Sequence, residues 1–150
     1  MVNIRDINSE VFTGRSLALD IGDRRIGVAL SDPLGILATP LTIIERVDEE
    51  TAIEAVMDIV SRNQVELIIV GLPRSMEGEI GAQAKKVQTF TENLRKHISI
   101  PLEFRDERLT TVSARRLMKE AKRTGERDDA IAAAFILQGY LDEASAQSEA

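Results

Sequence analysis

The stretch SLALDIGDRRIGVALSD, residues 16–32, decides the fold class of this 150-residue chain. Apolar residues dominate 16–21 and 26–32, and only four polar or glycine residues separate the two runs. A connection of that length favours an antiparallel β-hairpin, because a parallel pair needs a long crossover. A further run rich in β-branched residues, 39–45, predicts a third strand.

Beyond residue 48 the apolar pattern alternates between helical spacing and short continuous runs. The remaining elements are predicted as a helix over 49–63, a buried strand over 66–71, a long helix after the loop 71–81, a strand over 102–106, a helix from Thr110 and an Ala-rich helix from 128 or 129 to about 141. This β-β-β-α-β-α-β-α-α order predicts an α/β fold with a single mixed five-stranded sheet flanked by helices. Such an order is compatible with an RNase H-like fold.

The length and composition predict one globular domain over 16–143, with a loose leader over 1–15 and a flexible tail over 144–150. The absence of cysteine and the single histidine exclude disulfides, thiol nucleophiles and multi-histidine zinc sites. No apolar run approaches the roughly 20 residues that span a bilayer, and the N-terminus does not have the pattern of a signal peptide. We therefore expect a soluble cytoplasmic protein without a membrane partner.

The charge is distributed unevenly along the chain. The net charge is −6, but residues 105–127 hold eight basic and four acidic residues. Such a basic segment is typical of a surface that follows phosphates, and equally of a solvated helix face with paired charges. Charge alone therefore leaves the kind of partner open.

Three acidic residues stand at the edges of predicted elements. Asp20 ends an otherwise apolar strand, Glu107 follows the last strand, and Asp129 begins the final helix, where the helix dipole favours an anion. Carboxylates that converge at strand ends would bind Mg²⁺ or Mn²⁺. Structural alternatives are a turn cap for Asp20, surface ion pairs for Glu107 and a helix cap for Asp129. Sequence spacing leaves open whether the three acids meet.

Four stretches carry specific motifs: LALDIGDRRIGVALSD (17–32), IIVGLPRSMEGEIGAQAKKVQTF (68–90), RDERLTT (105–111) and DAIAAAFILQGYLD (129–142). In these motifs the chain resembles the YqgF/RuvX family, whose members are described as pre-16S rRNA nucleases or Holliday junction resolvases. The resemblance implies an RNase H-like fold and metal-dependent phosphodiester hydrolysis. It also implies that Asp20, Glu107 and Asp129 are catalytic and bind Mg²⁺ or Mn²⁺. The departures are small: Glu77 replaces a frequent Asp, and Arg74 a frequent apolar residue.

The same resemblance implies a nucleic-acid partner, either pre-rRNA or a four-way DNA junction. The residues predicted to bind it, through backbone N–H groups or side chains, are Arg24, Arg25, Gly71, Leu72, Pro73, Arg74, Arg108, Thr110 and Thr111. A turn followed by a helix N-terminus is the structural alternative for residues 71–78, and helix capping explains at least one of the threonines. Because no aromatic platform for stacking bases is evident, we expect recognition of backbone shape.

Several functions agree with these features. Processing of the 5′ end of pre-16S rRNA during ribosome biogenesis is the preferred one. Holliday junction resolution would use the same chemistry but needs two sites across a symmetric junction, and the sequence identifies no dimer face. A nucleic-acid-binding module without catalysis would not need the three acids. An actin-like or sugar-kinase ATPase shares the Asp-x-Gly hairpin, but that fold requires a second such hairpin, which the sequence lacks.

Overall fold

The computed structural model describes residues 14–73, 81–107 and 128–149 of the chain. In chain order its elements are β1 (Arg15–Ile21), β2 (Arg25–Ser31), β3 (Ala38–Glu45), α1 (Glu49–Arg62), β4 (Val65–Leu72), α2 (Ala82–Arg95), β5 (Leu102–Asp106) and α3 (Asp128–Glu149). The helix predicted from Thr110 lies outside the described residues. Within the described ranges, no helix is both long and apolar enough to cross a membrane.

The strands form one five-stranded sheet in the order β3-β2-β1-β4-β5. β1, β2 and β3 are joined by antiparallel pairings, whereas β4 and β5 are added in parallel. A tight turn connects β1 to β2, and in it the N–H of Gly22 donates to the carbonyl of Arg25 at 2.9 Å. The predicted mixed sheet, with its first three strands antiparallel, is confirmed.

Helices cover both faces of the sheet, and the alternation of side chains along each strand separates two apolar cores. On one face, Leu17 and Leu19 of β1 pack with residues of α1 and α2, including Val56 and Phe90. On the other face, Ala18 of β1 packs with residues of α3. We call this second side the α3 face. It carries the site described below, because every second residue of the central strands points towards α3.

Helix α3 is longer than predicted: it continues to Glu149, whereas the prediction ended it near residue 141. The residues after Leu141 include no glycine or proline that would end a helix. The helix is attached to one edge of the sheet through Gln138, which accepts a hydrogen bond from the N–H of Ala38 and donates to the carbonyl of Ile36, each at 2.9 Å.

Helix α1 begins with a complete side-chain cap. The Asp48 carboxylate accepts hydrogen bonds from the backbone N–H of Thr51 at 2.7 Å and from the Thr51 hydroxyl at 2.9 Å. These bonds stabilise the charged carboxylate and hold the pKa of Asp48 below its ordinary value of 3.8. The sequence therefore specifies the start of α1 by a local interaction.

Candidate active site

Asp20 lies near the end of β1 and points to the α3 face, between two positions that carry no side chain. Gly27 of β2 is its direct partner in the antiparallel ladder. On the other side Leu19 pairs with Val70, which places the next residue of β4, Gly71, beside Asp20. The Asp20 carboxylate is therefore the only side chain in a row across three central strands.

Each of the two glycines leaves room for one of the other predicted acids. A Cβ atom on Gly27 would overlap the backbone carbonyl of Asp129 at the start of α3. A Cβ atom on Gly71 would lie 2.9 Å from Oε1 of Glu107 and 2.5 Å from Cδ1 of Ile136. Glu107 and the first turn of α3 approach the sheet on either side of Asp20 because these positions lack side chains.

The carboxyl groups of Asp20 and Glu107 are in direct contact through a hydrogen bond. Burial, the negative charge of Asp20 and the hydrogen bond to it, together with the charge of Asp106, raise the pKa of Glu107 to about 7. Burial also raises the pKa of Asp20 above 3.8, an effect that the hydrogen bond opposes and the charge of Asp129 reinforces. One proton is therefore readily shared between the two carboxyl groups. The state in which both are ionised is unfavourable unless a cation is bound.

Asp129 lies at the solvent-facing side of this group. Its Oδ2 is 3.3 Å from Nε of Arg25, and its side chain is 39% exposed. The ion pair connects the first turn of α3 to the first residue of β2, which directly follows the turn between β1 and β2. Arg25 consequently contacts an acid of the site, and its neighbour Arg24 is exposed on the same turn.

The three acids have the donor chemistry that Mg²⁺ and Mn²⁺ prefer, since all their ligand atoms would be carboxylate oxygens. Two of the acids touch each other, and the third is close enough to raise the pKa of Asp20. Among residues 14–73, 81–107 and 128–149, no three such side chains stand in positions that would already hold a metal ion. The residues therefore fit a divalent cation chemically. For a cation to bind, the hydrogen bond between Asp20 and Glu107 must break.

The remaining predicted nucleic-acid contacts are placed as follows. Gly71 lies beneath Glu107, and the side chain of Leu72 is buried in the core, so that only its backbone is available to a ligand. Pro73 follows β4 and is partly exposed. Arg74, Arg108, Thr110 and Thr111 lie outside the described residues.

Gly27 was not among the site residues expected from the sequence, although a signal for it exists. It interrupts the apolar run 26–30 in the interior of a strand, where glycine weakens the strand unless another backbone approaches closely. The structure supplies that approach in the form of Asp129.

A mixed five-stranded sheet in the order β3-β2-β1-β4-β5 with helices on both faces is the architecture of the RNase H-like fold. The chain belongs to the RuvX family, described as Holliday junction resolvases, whose sequence profile matches residues 14–143. A relative from Roseiflexus sp. (strain RS-1), named "Putative pre-16S rRNA nuclease", is 50% identical over 133 residues, covering 86% of this chain and 94% of the relative. A relative of the same name from Clostridium acetobutylicum is 45% identical over 132 residues, covering 85% and 98%.

Among solved structures, RuvC of Thermus thermophilus, determined in complex with a Holliday junction substrate, has a similar fold. The TM-score is 0.59 over 89% of this chain and 96% of RuvC, with 10% sequence identity. At that identity the likeness concerns the fold alone. Together, the comparisons confirm the predicted family and fold, and the names of the relatives agree with the predicted enzyme class, a nuclease.

Proposed function

We propose that this protein is a metal-dependent nuclease that acts on structured nucleic acid and processes the 5′ end of pre-16S rRNA in the cytoplasm. The observation that carries the proposal is the convergence of Asp20, near the end of β1, with Glu107, which directly follows β5, and with Asp129 nearby at the start of α3. The relatives' names support the rRNA substrate. RuvC, which shares the fold, was determined in complex with a Holliday junction substrate, and this supports a structured nucleic acid as the partner.

Asp20, Glu107 and Asp129 are the residues that would hold the cation. Bound divalent cations supply activation of water and stabilisation of negative charge on the leaving oxygen. The chain's own contribution is a partly buried pair of carboxylates, Asp20 and Glu107, whose pKa values are raised by burial and by nearby negative charge, next to a more exposed third acid. Burial on the α3 face strengthens the attraction of this group for a cation, because the local dielectric constant is lower than that of water.

Arg24 and Arg25 would hold the substrate on the rim of the site. Arg25 already contacts Asp129, and a phosphate group that binds there would compete for its guanidinium. Because the whole chain carries a net charge of −6, attraction to a polyanion depends on such local arginines. We therefore expect substrate binding to weaken steeply as the salt concentration rises.

The test is a cleavage assay on two labelled substrates, a pre-16S rRNA 5′ leader and a four-way DNA junction. Each is incubated with Mg²⁺, Mn²⁺ or EDTA and with wild type, Asp20→Asn or Asp58→Asn. Asp58 provides a matched control, because it is an exposed carboxylate on α1 paired with Arg62. We expect RNA cleavage that needs the cation, is lost in Asp20→Asn and is retained in Asp58→Asn.

Other outcomes would contradict parts of the proposal. Symmetric nicking of the junction without cleavage of the RNA would reassign the substrate to four-way DNA. Binding of either nucleic acid without cleavage under any of these conditions would refute catalysis and leave a binding module.

A further inference from the structure

Arg105 and Glu143 form a two-pronged ion pair between β5 and α3. Nη1 of Arg105 donates to Oε2 of Glu143 at 2.8 Å, and Nη2 donates to Oε1 at 2.9 Å. The Arg105 side chain is only 10% exposed, whereas Glu143 is 55% exposed. Such a paired geometry fixes the orientation of both groups, unlike a single surface contact.

Helix α3 has a gap that receives the Arg105 guanidinium. Gly139 lies one turn before Glu143, and a Cβ atom there would be 2.9 Å from Nη2 and 3.3 Å from Nε of Arg105. The guanidinium therefore lies directly against the helix backbone. Glycine in the interior of a helix lowers the stability of the helix. The close approach of the Arg105 guanidinium explains why Gly139 is a glycine, because a larger residue would collide with it.

The location of the pair connects it to the candidate active site. Arg105 is the residue of β5 that pairs with Gly71, and its guanidinium contacts α3 at Gly139. Glu107, two positions later and just beyond the end of β5, lies over Gly71 on the same α3 face. β5 is an edge strand of the sheet. Helix α3 also carries Asp129. The Arg105–Glu143 pair therefore joins β5, the strand directly before Glu107, to the helix that carries Asp129.

We propose that Arg105, through Glu143, is a positioning residue that holds the end of β5 against α3 and keeps Glu107 over Gly71, next to Asp20. This inference rests on the proposed function, because it assigns the positioned carboxylates to a cation site. Its consequence is that Arg105 governs the affinity for the cation without touching the cation.

The charge of Arg105 makes this role distinguishable from a purely electrostatic one. Replacing Arg105 by a neutral residue makes the surroundings of the acids more negative, which by itself would strengthen the binding of a cation. Loss of positioning has the opposite effect, because the carboxylates no longer meet. The direction of the change in affinity therefore separates the two roles.

The experiment measures Mn²⁺ binding to the full chain by titration calorimetry, for wild type, Arg105→Gln, Glu143→Gln and the double variant. We expect each single variant to bind Mn²⁺ about tenfold more weakly, a size typical of residues that orient ligands. The double variant should be no worse than either single one, because both residues act through one pair. In cleavage assays kcat should fall while KM stays unchanged.

Arg62→Gln is the matched control, since it removes the exposed Arg62–Asp58 pair of α1 and should leave Mn²⁺ binding unchanged. Arg105→Lys, which keeps the charge but cannot form two parallel bonds, replaces Arg105→Gln if the latter does not fold. Unchanged or tighter Mn²⁺ binding by the folded Arg105 variants would overturn the positioning role alone. A wild type that neither binds Mn²⁺ nor cleaves nucleic acid would overturn the proposed function, and the inference with it.

Discussion

Gly71 illustrates how one residue can serve a site by lacking a side chain. The family resemblance implied that it binds nucleic acid through its backbone, and that prediction stays untested. The structure adds a steric role, because the Glu107 carboxylate and Ile136 occupy the space that a side chain would need. The two roles predict different kinetic effects.

Replacing Gly71 by alanine should displace Glu107 and lower kcat at least tenfold, with little change in KM. The added methyl group also crowds Ile136, and we expect a loss of about 1–3 kcal/mol in the free energy of unfolding, as for other overpacked cores. Cleavage kinetics and urea denaturation measure the two effects separately.

Gly81→Ala is the control for this substitution, since a Cβ atom at Gly81 meets nothing within 4 Å. It should leave kcat unchanged. A Gly71→Ala variant with normal kcat and a raised KM would argue instead for contact with the substrate.

At the scale of elements, the sequence predicted the strands and helices because apolar periodicity is a local signal. The strand predicted over 39–45 corresponds to Ala38–Glu45, and the helix over 49–63 to Glu49–Arg62.

The sequence also marked Asp20, Glu107 and Asp129 by their positions at element edges. It could not show that they meet, because the order β1-β4-β5 and the course of α3 depend on distant contacts. The pairs Arg25–Asp129 and Arg105–Glu143 were unpredictable for the same reason.

The start of α1 allows a prediction about pH. Because the pKa of Asp48 is lower in the folded protein than its ordinary 3.8, its charge stabilises the fold above that pH. This contribution is lost as the pH falls through the folded pKa. Asp48→Ala should therefore lower the melting temperature clearly at pH 7 and by less at pH 3, which lies below the ordinary pKa of 3.8.

Thermal melts followed by circular dichroism at both pH values measure this difference. Asp48→Asn is the control, because asparagine accepts the same hydrogen bond from Thr51 without a charge that titrates. A pH-independent difference between wild type and Asp48→Ala would contradict the assigned cap.

At the scale of the whole molecule, the site stores unfavourable electrostatic free energy in the metal-free protein. Asp20 is partly buried beside Glu107 and near Asp129, and its raised pKa reflects the cost of its charge. In EDTA, Asp20→Asn should therefore melt at a higher temperature than wild type, by about 2–4 °C for each kcal/mol relieved.

With Mn²⁺ the order of the melting temperatures should reverse. A cation present at 100 times its dissociation constant would stabilise the wild type by about 2.7 kcal/mol, whereas Asp20→Asn would gain much less. Differential scanning calorimetry in EDTA and in Mn²⁺ measures both differences, with Asp58→Asn as the control. Equal Mn²⁺ effects on wild type and Asp20→Asn would contradict the assigned cation ligands.

The position of α3 in the chain has a consequence for protein synthesis. Asp20 and Asp129 are separated by more than 100 residues, so at about 5–20 residues per second the ribosome makes the second acid several seconds after the first. Until α3 has emerged and docked, Ala18, Ala29 and Ile69 have no helix to cover them, and Asp20 lacks one of its partners. Before α3 has docked, a nascent chain of this protein exposes the apolar residues of the α3 face, and under the proposed function it does not yet hold the complete set of acids.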